Sequence, residues 1–284
     1  MKAQCSLPDQ TSFGTALTTN KPPAVLFHYT TPSGLLGILD SRKLWATHAR
    51  FLNDAKELDY GLVLIRDVLC SYPPGKLVAA AADQLRSARP AYFLACFSAV
   101  DDLLSQWRAY SGNATGYSVG FDAHHLPADH LAEVVYDPAI QDTAVRSAVD
   151  DHLKQVGEYP EDFLRFRLQA ALLRLAIQFK HPTFQEEREW RLIYCLEDDH
   201  SGFDYTSWRA TFRAGDRFII PYMEVELPTK PGAWDKDLLH LESVRIGPTV
   251  NPEEARYALT WMMWSYGYSD IETPVRFSDT PLRV

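Results

Sequence analysis

Cysteine is scarce: the 284 residues hold four, Cys5, Cys70, Cys96 and Cys195, with no CxxC pair among them. Such spacing offers neither a zinc signature nor a disulfide framework. It reads as reduced, mostly buried thiols of a cytosolic protein. Glycine-rich phosphate loops are missing too: there is no GxGxxG after a strand and no GxxxxGK[ST], so dinucleotide-fold and P-loop readings fail. No GxSxG is present, so a strained nucleophile elbow is not indicated, and Ser98 and Cys96 are left open as nucleophiles. Long apolar runs are absent as well. The stretch 91–100 is about half of the ~20 residues a membrane helix needs. The polar N-terminus lacks the apolar core of a signal peptide. The chain is therefore expected to be cytoplasmic and to have no membrane partner. Positive charge is outnumbered, 28 Lys and Arg against 37 Asp and Glu, a net charge of -9. That argues against a whole-chain phosphate-binding surface. A local basic strip stays open at Arg165, Arg167, Arg174, Lys180, Arg188 and Arg191. His124, His125 and His130 lack a matching acidic or cysteine spacing, so no metal site is expected.

What is present is an ordinary globular composition with a generous aromatic share of 12%. Residues 1–23 read as a flexible polar lead-in and 24–284 as one domain. Strands are expected near 24–29, 43–47, 92–98, 117–121, 134–135, 190–196, 218–225, 244–247 and 274–277. Helices are expected near 33–39, 55–69, 77–87, 103–110 and 252–266, with a helical hairpin inserted at about 139–180. Short strands mixed with helices predict an α+β fold rather than a regular βαβ array.

Four segments carry candidate chemistry. In Phe27-His28-Tyr29-Thr30, His28 ends an apolar strand just before a helix start. A ligand group or a packed strand-end histidine both fit there. Asn53 and Asp54 precede a helix and, with Glu57, form a capping box, or place polar groups beside a ribose or adenine. Cys96-Phe97-Ser98 is followed by Gln106-Trp107-Arg108-Ala109-Tyr110, in which Trp107 and Tyr110 share a helix face. They are core, or a stacking wall for a planar ring. In Glu187-Arg188-Glu189-Trp190-Arg191, a strand would put both carboxylates on one face. A solvated helix end with a Glu187–Arg191 ion pair is the competing reading.

Together these segments resemble the bacterial domain-of-unknown-function family 2971. The resemblance rests on His28-Tyr29-Thr30, Phe51-Asn53-Asp54-Glu57, Cys96-Phe97-Ser98 with Trp107 and Tyr110, Gly116-Tyr117-Gly120-Phe121, and Glu187-Glu189-Trp190-Arg191. It spans roughly residues 25 to 280. More distantly, the order of elements is similar to the His-Tyr-Glu type ADP-ribosyltransferases: a histidine on the first strand, a middle aromatic and a late glutamate.

That second resemblance implies a split β-sheet core with helical insertions and NAD+ as substrate, with no metal. It implies catalytic roles for Glu189, His28 and Glu187. Contacts to NAD+ would come from His28, Tyr29, Thr30, Asn53, Ser98, Trp107 and Tyr110. Trp107, Tyr110 and Tyr117 compete for the middle-aromatic role. The implied activity is transfer of ADP-ribose to a nucleic acid or protein, as in a toxin or phage-defence effector. A non-catalytic binding module of the same fold and an NAD+ glycohydrolase are the alternatives.

Overall fold

The computed structural model describes residues 20–52, 56–87, 91–111, 115–195, 210–215, 218–232, 237–249, 251–269 and 273–280. Asn53, Asp54, the Glu57 side chain, Cys5 and most of the expected lead-in lie outside these. The strands are β1 (Val25–Thr30), β2 (Lys43–His48), β3 (Tyr92–Ser98), β4 (Tyr117–Asp122), β5 (Leu131–Glu133), β6 (Glu189–Cys195), β7 (Ala210–Ala214), β8 (Ile219–Glu226), β9 (Thr229–Pro231), β10 (Asp237–Leu239), β11 (Leu241–Ile246) and β12 (Val275–Phe277). The helices are α1 (Pro32–Ser41), α2 (Lys56–Cys70), α3 (Lys76–Ser87), α4 (Leu104–Tyr110), α5 (Pro138–Lys154), α6 (Glu161–Gln178) and α7 (Pro252–Tyr266).

One strand organises the sheet. Along one edge, β3 pairs over its whole length with β6, from Tyr92↔Cys195 to Ser98↔Glu189. Its other edge is shared. The end of β3 meets β1 at Phe27↔Ser98, and its start meets β2 at Thr47↔Leu94 and His48↔Phe93. Between these points residues 95–97 have no ladder partner on that edge. The sheet divides there into a half built of β1, β4, β11 and β12 and a half built of β2, β8 and β7. The gap in the ladder leaves backbone polar groups of β3 to be satisfied by side chains or ligand.

Both faces are covered by helices. Leu58, Ile65 and Leu69 of α2 recur at helical spacing and meet Leu168 and Leu172 of α6 over Leu94 and Ile193 of the sheet. Gly61 lets α2 and α6 touch, since a Cβ there would stand 2.5 Å from the Ala176 carbonyl oxygen. On the opposite face Leu35, Leu39, Leu259 and Met263 pack on Leu26, Phe97, Trp190 and Leu192. Each such side chain contributes about 1.5–3 kcal/mol by leaving water. Caps set the helix ends: Asp137 accepts from the Ala139 amide at 2.8 Å with Pro138 next, and Gly267 closes α7 at φ 99°.

The arrangement is α+β with a large open sheet. The hairpin of α5 and α6 is not an appendage: together with α2 and α3 it forms one wall of the core. The strand expected at 134–135 falls earlier, at β5, because Val135 forms an isolated bridge to Phe179 instead. Strands β7, β9 and β10 are not expected from the sequence, because they are short and lack a strong apolar alternation. The described cysteines also differ from expectation: Cys70 is exposed and Cys96 and Cys195 are half-buried, none fully buried. Among the described residues no helix is long and apolar enough to cross a membrane.

Candidate functional site

The split in the sheet opens into a cleft of about 450 Å³. Ligand sites commonly occupy 300–1,000 Å³, so roughly this volume suits a small molecule. One wall is β1 and the start of α1, with His28, Thr30, Thr31 and Gly34. The unpaired edge of β3 contributes Ala95, Cys96 and Phe97, and the far wall carries Trp45, Thr47 and Arg213. Glu189 and Arg191 line it from β6, Glu187 from the turn that precedes this strand, and Gln106 and Tyr110 from α4. At Gly34 a Cβ would stand 2.0 Å from the Thr30 hydroxyl oxygen, so a larger residue would force the Thr30 side chain aside.

His28 fills part of the ladder gap. Its Nδ1 lies 2.9 Å from the Cys96 carbonyl oxygen. A carbonyl only accepts, so Nδ1 carries the proton and the neutral ring keeps Nε2 as an acceptor. Burial lowers the pKa of His28 from its ordinary value, and the Cys96 bond opposes that only in part. The half-buried ring packs against Phe97 at 5.8 Å.

Glu189 belongs to a buried group of four charges. Arg191 grips it with two N–H groups, Nε to Oε1 at 2.7 Å and Nη2 to Oε2 at 2.8 Å. Lys180 Nζ donates to Glu189 Oε2 at 3.0 Å and to Glu187 Oε2 at 2.6 Å. Arg191 Nη1 also donates to the Ile177 carbonyl at 2.6 Å, at the end of α6. Lys180, Glu187, Glu189 and Arg191 are all less than a tenth exposed. Two cations and two carboxylates cancel, which is what makes their burial tolerable. Burial alone would raise the Glu189 pKa, but Arg191 and Lys180 outweigh it and hold the carboxyl well below its ordinary range.

The backbone explains how both glutamates point inward. Pro182–Glu187 is a 3-10 turn, and Arg188 follows in the left-handed region at φ 43°. A non-glycine residue there costs energy and is held by its surroundings. The Ser98 hydroxyl donates to the Glu187 carbonyl at 2.6 Å, and the Ala99 amide donates to the Arg188 carbonyl at 3.0 Å. The reading of 187–189 as continuous strand is thus corrected, and so is the solvated helix end: Glu187 is buried and pairs with Lys180. The basic strip is corrected as well. Lys180 and Arg191 are buried in the cluster, while Arg165 pairs with Glu161 at 2.8 Å on the surface.

His28, Tyr29, Thr30, Tyr110, Glu187 and Glu189 therefore line one cleft. The Tyr29 hydroxyl is already committed, donating to the Val100 carbonyl at 2.8 Å and accepting from the Leu103 amide at 3.0 Å. Ser98 and Trp107 are not cleft residues. Ser98 is 1% exposed and its hydroxyl serves the backbone of Glu187 and Val100. Trp107 is fully buried, edge-on to Tyr29 at 4.7 Å, with its indole N–H on Asp102 at 2.7 Å. Of the three competing aromatics, Tyr110 alone lines the cleft; burial first, and Glu189 second, push its phenol pKa up. The expectation for Asn53 lies outside the described residues. His124 and His125 both bond Asp122, at 3.0 and 2.9 Å, while His130 bonds the Ile193 carbonyl.

The site roles of two residues are not marked in the sequence. Lys180 looked like surface charge, since nothing local marks a lysine after a helix end as buried. Arg213 lies on β7, which was not foreseen.

The titration of these groups sets an expected pH response. The unfolded chain protonates His28 near its ordinary 6.5, whereas the folded pKa is lower. Stability is therefore lost as pH falls below that value. Glu189 adds a second loss below its ordinary 4.5, because the folded carboxylate resists protonation. His48, His152 and His240 shift in the same direction as His28. A His28→Gln variant should thus show a shallower fall of melting temperature between about pH 6.5 and 5 than the parent. Parallel curves for the two proteins would remove His28 from this account.

A family model described as "Protein of unknown function (DUF2971)" matches residues 106–192. The matched stretch contains Tyr110 and all four members of the charge cluster. No curated protein and no solved structure matches the chain.

Proposed function

We propose that this cleft binds NAD+ and that the protein transfers ADP-ribose from it to a nucleic acid or protein acceptor, as a cytoplasmic bacterial toxin or phage-defence effector would. The observation that carries the reading is the joint presence of His28, Tyr110 and Glu189 on one cleft at the split of the sheet. They stand in the chain order of the His-Tyr-Glu ADP-ribosyltransferases.

The chemistry asked of them is physically coherent. The bond from ribose C1′ to nicotinamide breaks with its electron pair moving to the ring nitrogen, which leaves as neutral nicotinamide. Positive charge grows on the ribose, as in glycoside hydrolysis. Ionised Glu189, held so by Arg191 and Lys180, stabilises that charge through the 2′-hydroxyl. A carboxylate offers about four acceptor positions, and the two cations use three of them on Glu189. The Cys96 thiol also bonds Glu189, and being a weak donor it yields readily to a ribose hydroxyl. Neutral His28 accepts a ribose hydroxyl at Nε2, and Tyr110 stacks on the nicotinamide. An acceptor nucleophile then bonds to C1′, and its proton passes to Glu187.

His28→Ala should weaken NAD+ binding about tenfold, the worth of one well-placed hydrogen bond. Calorimetric titration of NAD+ into both proteins measures this. Unchanged affinity in a destabilised but folded variant would assign His28 to packing alone.

One observation favours a second reading. The tight grip of Arg191 and Lys180 on both Glu189 oxygens suits a structural brace in a non-catalytic nucleotide-binding module. NAD+ binding without nicotinamide release would select it. Release with water as the acceptor would make the protein a glycohydrolase.

A further inference from the structure

We propose that Arg213 forms an anion subsite on the β2–β7 wall of the cleft, built to take the phosphate groups of a nucleotide. It supplies the phosphate-binding part of the NAD+ reading and rests on that reading for the identity of the nucleotide.

β2 pairs with β8 at Thr47↔Tyr222, and β8 pairs with β7 at Tyr222↔Thr211 and Ile220↔Arg213. Side chains alternate along strands, so Trp45, Thr47, Tyr222 and Arg213 share one face. Three of these four, Trp45, Thr47 and Arg213, line the cleft.

The guanidinium is fixed in place. It lies over the Trp45 ring, 5.5 Å from its centre, and Trp45 packs on Tyr222 at 4.6 Å. Its Nη2 donates to the Thr47 hydroxyl oxygen at 3.1 Å. Its Nε is buried with no hydrogen-bond partner among the described residues. An arginine carries five N–H donors, so most of this fork is unused by the described residues.

Among the described residues counter-charge is missing as well. The carboxylates on the same face, Glu224 and Glu226, pair with Lys43 at 2.8 and 3.8 Å. Among the described residues no carboxylate pairs with Arg213, and its Nε is buried. A stacked, fixed guanidinium that lines the cleft with no carboxylate partner among the described residues is complementary to a phosphate, which accepts two parallel N–H bonds. The Thr47 hydroxyl accepts from Arg213 and keeps its own proton for the same anion. At the other wall, Glu189 and Glu187 are already neutralised by Lys180 and Arg191, so they do not repel it.

Calorimetry with ADP and adenosine on the full chain tests this. The wild-type protein should bind ADP about tenfold to a hundredfold more tightly than adenosine, the worth of one or two charge-assisted hydrogen bonds. In Arg213→Gln that ratio should fall to near one with adenosine affinity unchanged, and in Arg213→Lys it should be intermediate. The lysine variant decides the matter if the glutamine variant fails to fold. An undiminished ratio in the folded variants, or no preference for ADP in the wild type, overturns the subsite. An Arg213-dependent ratio with no nicotinamide release from NAD+ would keep the subsite and discard the transferase. Release with a ratio independent of Arg213 would do the reverse.

Discussion

Lys180→Met should lower the stability of the folded protein by about 3–5 kcal/mol, although methionine matches the length of the lysine stem. Lys180 is 1% exposed and is the partner that Glu187 and Glu189 share. Without it, Arg191 faces two buried carboxylates and neutralises one. The surplus charge must ionise unpaired, take up a proton, or draw water into the core. The midpoint of thermal unfolding should fall by on the order of 10 °C for a chain of this size. The loss should shrink at low pH, where the surplus carboxyl is protonated. Lys180→Met combined with Glu187→Gln should recover part of it, because the double change restores neutrality. A loss below about 1 kcal/mol would place the cluster among solvated surface pairs.

The sheet and helices were legible where periodicity was strong. Tyr92–Ser98 and Pro252–Tyr266 have the bounds their patterns implied, since each is a continuous buried strand or a helix with proline at one end and glycine at the other. β7 was invisible because Ala-Thr-Phe-Arg-Ala offers one large apolar residue, and Phe212 is exposed. The candidate site was legible in some of its residues but not in its wiring. His28 was singled out by its place at a strand end, Tyr110 by the helix face it shares with Trp107, and Glu189 by its spacing from Glu187 and by the family resemblance. Trp107 shares a helix with Tyr110, yet Asp102 and Tyr29 bury it, and no local pattern distinguishes the two aromatics. Lys180 could not be paired with its glutamates from sequence, because the left-handed turn at Arg188 decides where Glu187 points.

Glu189→Gln should reduce nicotinamide release by on the order of 10²–10³, the usual loss when one electrostatic stabiliser is removed. The amide keeps the shape of the carboxyl and loses its charge, so NAD+ binding in the ground state should change far less than turnover. Stability should fall in the same variant, because Lys180 and Arg191 then face the single carboxylate of Glu187. Turnover must accordingly be compared well below the variant's own melting point, with the folded fraction measured in parallel. Loss of activity with full NAD+ binding marks a catalytic carboxylate. Loss of both in proportion marks a brace.

The most direct test of the central claim is nicotinamide release from NAD+ by the wild-type protein and by Glu189→Gln, side by side in a cell extract, with the ADP-ribosylated product read by mass spectrometry. The expected result is release by the wild type, its near-complete loss in the folded variant, and an added ADP-ribose on a nucleic acid or protein. Absence of release by the wild type, or undiminished release by Glu189→Gln, would contradict it.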